Sequence, residues 1–152
     1  MRGFWLFVHN LGYSLWLGGG IATMVSGVVA KSFPPAERLA VYRVNGAIQR
    51  ILVMLGALAV VVSGVVLVMP YMGAGAGMPG WLNLMMGLGL VGAIAATTIS
   101  VPTAAKLARL ELDARGELPE AFQRLRKRQV LAASIAGGLA LLALAAATIL
   151  RQ

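Results

Sequence analysis

Four long stretches of this chain contain no acidic residue and few polar ones: about Phe4 to Ala30, Ile51 to Met69, Trp81 to Ala105 and Val130 to Leu150. A helix crosses the hydrocarbon core of a bilayer with roughly 20 apolar residues, and each stretch supplies such a run. Lipid offers no partner to backbone N–H and C=O groups, so a span must be a helix or part of a closed barrel. Continuous Gly, Ala, Val and Leu lack the in-out alternation of a barrel strand. Charged residues make up only 12% of the chain, against about 25% in a soluble domain. The predicted fold is all-α: an integral membrane, antiparallel four-helix bundle, with residues 1–152 forming one transmembrane domain.

The first stretch has features of a signal peptide, since Arg2 precedes the apolar run and Val28-Val29-Ala30 resembles a cleavage site. It is longer than the usual apolar region of such a peptide. The consecutive glycines Gly18, Gly19 and Gly20 favour close helix packing, so it is read as a span.

Orientation follows from charge. Lys31, Arg38, Arg43 and Arg50 separate the first two spans, and Lys106, Arg109, Arg115, Arg124, Arg126, Lys127 and Arg128 separate the last two. The opposite side carries Arg2 and Arg151, and the turn from Pro70 to Gly80 is uncharged. Positive loops stay in the cytoplasm, which predicts a multi-pass protein of the cytoplasmic (inner) membrane with both termini outside. Trp5, Tyr71 and Trp81 fall at the outer boundary, where amphipathic rings are favoured.

The formal charge of +8 raises nucleic acid as a partner, but the basic residues sit between spans rather than on a soluble face, so no nucleic acid is expected. Membrane lipid is. Arg124, Arg126, Lys127 and Arg128 could each attract anionic lipid by about 1 kcal/mol, or serve topology alone. In the longer loop Leu107, Leu110 and Leu112 interleave with charge, which predicts that the third helix extends past the membrane.

Leucine gains nothing by leaving lipid for a neighbouring helix, so small residues mark the contact faces. The spacing predicts contacts at Ser14 and Gly18, at Gly56 and Gly64, at Gly89, Ala93 and Thr97, and at Ser134 and Gly138. Pro70, Pro79 and the Gly73 to Gly77 stretch are expected to end helices and form the outer turn.

The chain has no cysteine, which removes disulfides, thiolate zinc sites and iron–sulfur clusters. No carboxylate pair, Ser-His-acid set or nucleotide fingerprint can be assembled, against hydrolase or kinase chemistry. No acidic residue enters a span and no pair of proline-broken helices marks a midplane site, against an ion-coupled transporter.

His9, the only histidine, lies in the outer third of the first span, where an ionisable group is costly unless paired or wet. Tyr13 and Trp16 share its helical face. The imidazole could ligate a metal or haem, or hydrogen-bond a facing serine, threonine or carbonyl. Asn10 and Asn83, at similar depth, suggest polar contacts between helices. Met69, Met72 and Met78 occupy the outer turn, and Met85 and Met86 begin the third span. Thioethers suit Cu(I) and also fill irregular apolar gaps.

The stretch Leu6-Phe7-Val8-His9-Asn10-Leu11-Gly12-Tyr13-Ser14-Leu15-Trp16-Leu17-Gly18-Gly19 resembles the His-then-Trp-Gly pattern of small copper-resistance D-like membrane proteins, to which HemJ-type protoporphyrinogen oxidases look related. Trp81-Leu82 and the basic lead-in at Arg128 extend the likeness. The resemblance implies that His9 ligates the iron of a haem such as haem b, with Trp16 and Gly18 framing the packed helix. Met85 stands where such relatives often place a lysine, and one histidine excludes a bis-histidine haem within one chain. A second ligand would be methionine, water or a residue of another subunit.

The expected function is the binding or handling of haem or copper near the outer membrane face through His9, with Met69, Met72, Met78 or Met85 as softer partners. The alternative is a non-catalytic accessory subunit of a larger respiratory, photosynthetic or transport complex. No residue set specifies a reaction.

Overall fold

The structure, a computed structural model, describes residues 1–72 and 78–150. Helix α1 spans Arg2–Ser32, α2 Pro35–Met72, α3 Gly80–Ala108 and α4 Glu120–Ile149, and all four are long and apolar enough to cross a membrane. No strand occurs among the described residues.

Two helices start well before their apolar runs. α2 begins at Pro35 rather than near Ile51, and α4 at Glu120 rather than near Val130. Hydropathy marks where lipid begins, whereas a helix begins where its first turn is satisfied. Pro35 occupies the first turn of α2, ahead of Glu37, where its fixed φ suits a helix and its missing N–H costs nothing. Arg38, Arg43 and Arg50 are therefore helical residues rather than loop residues. The expected extension of α3 is slight, since it ends at Ala108. The connection that follows is shaped by Asp113, whose carboxylate accepts the N–H groups of Arg115 and Glu117, both at 2.8 Å.

At the other end, Pro70 lies inside the last turn of α2 instead of ending the helix at Met69. Pro79 caps the start of α3. The predicted Gly73 to Gly77 turn and Arg151 lie outside the described residues.

The helices associate chiefly as two pairs, α1 with α2 and α3 with α4. A Cβ added to Gly56 would stand 2.6 Å from the Trp16 nitrogen, and one added to Gly19 would stand 3.0 Å from Val53. Rising numbers on one helix meet falling numbers on the other, so the pair is antiparallel and its backbones touch where glycine removes the side chain. The same holds for α3 and α4: a Cβ added to Gly92 would stand 3.2 Å from the Ala136 carbonyl, and Ser100 meets Gln129. The N-terminal half of α2 joins the pairs by packing on the end of α3, while α1 and α4 touch little.

The predicted contact faces are partly corrected. Gly56, Gly89 and Ala93 are buried, but Ser14, Gly18, Ser134 and Gly138 are exposed. α1 buries Gly12, Trp16 and Gly19 instead, and α4 buries Ala132, Ala136, Ala140 and Ala143. Both helices carry small residues on more than one face, and only the face opposite a small-residue neighbour is covered.

At the basic end a second core forms from Ala30, Leu39, Tyr42, Leu107 and Phe122. The Tyr42 and Phe122 rings meet edge to face at 5.1 Å. Arg38 closes the α1–α2 connection, donating from Nε to the Ala30 carbonyl at 2.9 Å and from Nη2 to that of Phe33 at 3.1 Å. A cation there also complements the negative end of the α1 dipole.

α2 and α3 are each interrupted by a π-helical turn, Gln49–Val53 and Ala96–Ser100. The second precedes Pro102, whose ring displaces the carbonyl four residues back and offers it no donor. An extra residue in the turn accommodates both effects. Such turns recur at functional sites, and each of these two holds one buried polar residue, Gln49 and Ser100.

Candidate functional site

Polar side chains collect at two levels of the helix assembly. The first is near the uncharged end, around His9. Its Nδ1 lies 2.9 Å from Ser63 Oγ on α2, so of the alternatives open in the sequence a facing serine is the partner found. The Ser63 hydroxyl has one proton and two backbone acceptors within reach, the carbonyls of Ala59 and Val60. With that proton committed to its own helix, Ser63 presents a lone pair to His9. In the matching tautomer the ring donates from Nδ1 to Ser63, and Nε2 carries the free lone pair. A partner on one ring nitrogen that fixes the lone pair on the other is the arrangement that orients ligating histidines.

Packing holds the ring in place. It lies over Gly64, where an added Cβ would stand 3.4 Å from His9 Cε1, an ordinary van der Waals distance. Tyr13 meets the imidazole edge to face at 5.4 Å and stacks on Trp16 at 6.1 Å. Trp16 itself is only 2% exposed, wedged between α2 and α3, where Gly92 admits its ring edge. It supports the aromatic ladder from below and does not touch His9.

The methionines are placed differently. Met69 and Met72 project outward, 58% and 70% exposed. They lie further along α2 than Ser63, by about 9 and 14 Å at the helical rise per residue. Met78 precedes α3, and half-buried Met85 lies one turn before Gly89, the residue facing Tyr13. Among the described residues no hydrogen bond joins His9 to any of the four, and its side-chain partner is Ser63. Among the described residues no group of three His, Cys, Asp or Glu could hold a metal ion. Asn10 is exposed, and Asn83 donates to the nearby Met78 carbonyl, so neither makes the expected contact between helices.

The second level, towards the basic end, was not visible in the sequence. Gln49 and Ser100 are each 1% exposed and Asn45 is 5% exposed. Gln129 Nε2 donates to Ser100 Oγ at 2.9 Å, Ser100 to Gln49 Oε1 at 3.3 Å, and Gln49 Nε2 to Thr23 Oγ1 at 3.0 Å. Thr23 in turn donates to the Gly20 carbonyl at 2.9 Å. Beside this chain Ser26 donates to Asn45 Oδ1 at 2.7 Å. All four helices contribute, and a cavity of about 470 Å³ lies against the chain between α1 and α4.

Gln129 immediately precedes an apolar run and Gln49 is separated from one by Arg50 alone, so a hydropathy boundary places both in loops. The signal that finds Gln49 is helical spacing: Tyr42, Asn45, Gln49 and Val53 continue one buried face into the span.

No protein-family model, curated protein or solved structure matches this chain.

Proposed function

We propose that the chain is a multi-pass protein of the cytoplasmic membrane, an antiparallel four-helix bundle with both termini outside, that carries haem iron on His9 near the outer face. The observation that carries this reading is the His9–Ser63 pair, which with Nδ1 protonated leaves Nε2 its lone pair, in a ring packed against Gly64 and Tyr13. The group would supply redox or ligand-binding chemistry through iron, and His9 would hold it. The resemblance of the first span to haem-binding membrane proteins agrees. Copper is the alternative metal for the same nitrogen, with Met69, Met72, Met78 and Met85 as candidate partners. Haem is preferred because Met69 and Met72 point away from the helix pair that holds His9.

Purification of the full chain in mild detergent, with a visible spectrum and metal analysis, tests the reading. A stoichiometric Soret band, lost in His9→Ala, is the expected result. A band that survives His9→Ala removes His9 from the role, and a protein with neither haem nor copper defeats the class.

A second reading, an accessory subunit of a larger respiratory, photosynthetic or transport complex, draws support from the outward-facing small residues. Ser14 and Gly18 on α1 are exposed, and such a pair permits close approach by another membrane helix. A recurrent partner at fixed stoichiometry, lost in Gly18→Leu, would favour this reading, and a monodisperse chain without one would count against it.

A further inference from the structure

The cavity between α1 and α4 is a groove with two unlike ends. Along α1 it runs from Trp16 to Lys31, and along α4 from Leu141 back to Arg126. Each path is about 22 Å long at the helical rise. Lys31 and Arg126 mark one end, while Leu17 and Leu141 mark the other. Its rim is exposed and apolar on both sides, with Met24 and Val28 on α1 and Val130 and Leu141 on α4. A ligand therefore enters sideways, from the bilayer.

The polar chain in its wall has a direction. The Gly20 carbonyl at the far end can only accept, so Thr23, Gln49, Ser100 and Gln129 each donate towards it. Every link is satisfied but the first. Gln129 Oε1 is buried and has no hydrogen-bond partner among the described residues. An acceptor left unmet away from water is costly, and what it lacks is a donor. Nearby, Arg126 donates from Nε to Tyr42 Oη at 2.9 Å. None of the five acidic residues of the chain lines the groove, so its basic end has no internal anion.

We infer that this groove binds one anionic lipid whose headgroup bears a hydroxyl, with the anion beside Arg126 and Lys31, the hydroxyl donating to Gln129 Oε1, and an acyl chain along the wall towards Leu141. Each part of the site selects one part of the ligand: the cations its charge, the orphan acceptor its donor, and the long apolar rim its tail. The volume falls within the 300–1,000 Å³ of ordinary ligand pockets. Nothing in this depends on haem at His9, which is at the other end of α1.

Trp16 gives the readout, because it lines the groove yet is only 2% exposed, beyond the reach of lipid on the outer surface. The full chain carrying Trp5→Phe and Trp81→Phe is reconstituted in phosphatidylcholine bilayers. Bromine-labelled lipids are then titrated as quenchers: phosphatidylglycerol, the equally charged phosphatidylmethanol that lacks a hydroxyl, and phosphatidylcholine. The expected order of quenching is phosphatidylglycerol, then phosphatidylmethanol, then phosphatidylcholine. About tenfold should separate the first two, the worth of one hydrogen bond to a buried acceptor.

Gln129→Met should erase the difference between the two anionic lipids. Gly20→Leu with Gly137→Leu, at positions where an added Cβ meets nothing within 4 Å, should fill the groove and abolish quenching by all three. Equal quenching by the three lipids in the parent protein overturns the inference without recourse to any variant. So does displacement of phosphatidylglycerol by inorganic phosphate alone, which would make the groove a free-anion site.

Discussion

The two polar levels of this protein are built from similar groups and end differently. At His9 the polar contact is short and involves one helix pair: Ser63 is anchored to its own backbone, and the one ring nitrogen it leaves free is a lone pair. Towards the basic end the contact is a relay through four helices that terminates in an unmet acceptor. A free lone pair on a held imidazole suits a metal, and a buried amide oxygen suits a hydrogen-bond donor. The chemistry that each can receive is set by which atom is left over, rather than by which residues are present.

Both sites depend on the close contact of α1 with α2, so the largest effect is expected there. Gly56→Leu would drive a side chain into the Trp16 nitrogen and the Gly12 carbonyl, 2.6 and 2.7 Å from the new Cβ. Overpacking of this kind costs about 1–3 kcal/mol or more, and with backbone on both sides the upper end applies. Unfolding in detergent should show the loss, and unchanged stability would break the α1–α2 pairing and the comparison with it.

Next in size is Gln49→Leu, which strands Ser100 and Thr23 in the relay. About 1–3 kcal/mol of destabilisation is expected, measured by the same unfolding assay. A neutral result would mean that water already enters the relay.

Ser63→Ala sharpens the comparison from the other side. The His9 ring keeps its lone pair but loses its orientation, and loss of such a supporting contact lowers metal affinity by about 10–100-fold. Haem titration should therefore show weakened binding in Ser63→Ala and none in His9→Ala. Equal loss in both would make Ser63 more than a positioning residue.

The smallest effect belongs to Gly18→Leu, where an added Cβ meets nothing within 4 Å. Stability in detergent should change by less than about 0.5 kcal/mol. A large change would show that this outward face is covered in the isolated protein.

The four apolar helices were legible because a bilayer imposes one length and one composition on any span. Gly56, Gly89 and Ala93 were also legible as contact residues, whereas Ser14, Gly18, Ser134 and Gly138 satisfied the same spacing and face outward. Periodicity tells which residues share a face, and only a partner decides which face is covered. His9 stood out as the single histidine in an apolar run, and its serine partner was among the groups considered. Gln49, Ser100 and Gln129 did not stand out, because hydropathy assigns residues at a boundary to the loop. Their role depends on α2 and α4 starting at Pro35 and Glu120, and the capping signals at both starts are prolines, which read equally well as loop.

In the proposed orientation the His9 level and the Gln129 level lie towards opposite faces of the membrane, and the absence of cysteine allows that to be tested directly. Single cysteines are introduced at Gly3, where an added Cβ meets nothing within 4 Å, and at Ala114 in the exposed α3–α4 connection. Intact cells are then treated with a membrane-impermeant maleimide. Gly3→Cys should label at once and Ala114→Cys only after lysis. Labelling in the reverse order would put His9 on the cytoplasmic side and contradict the proposed orientation.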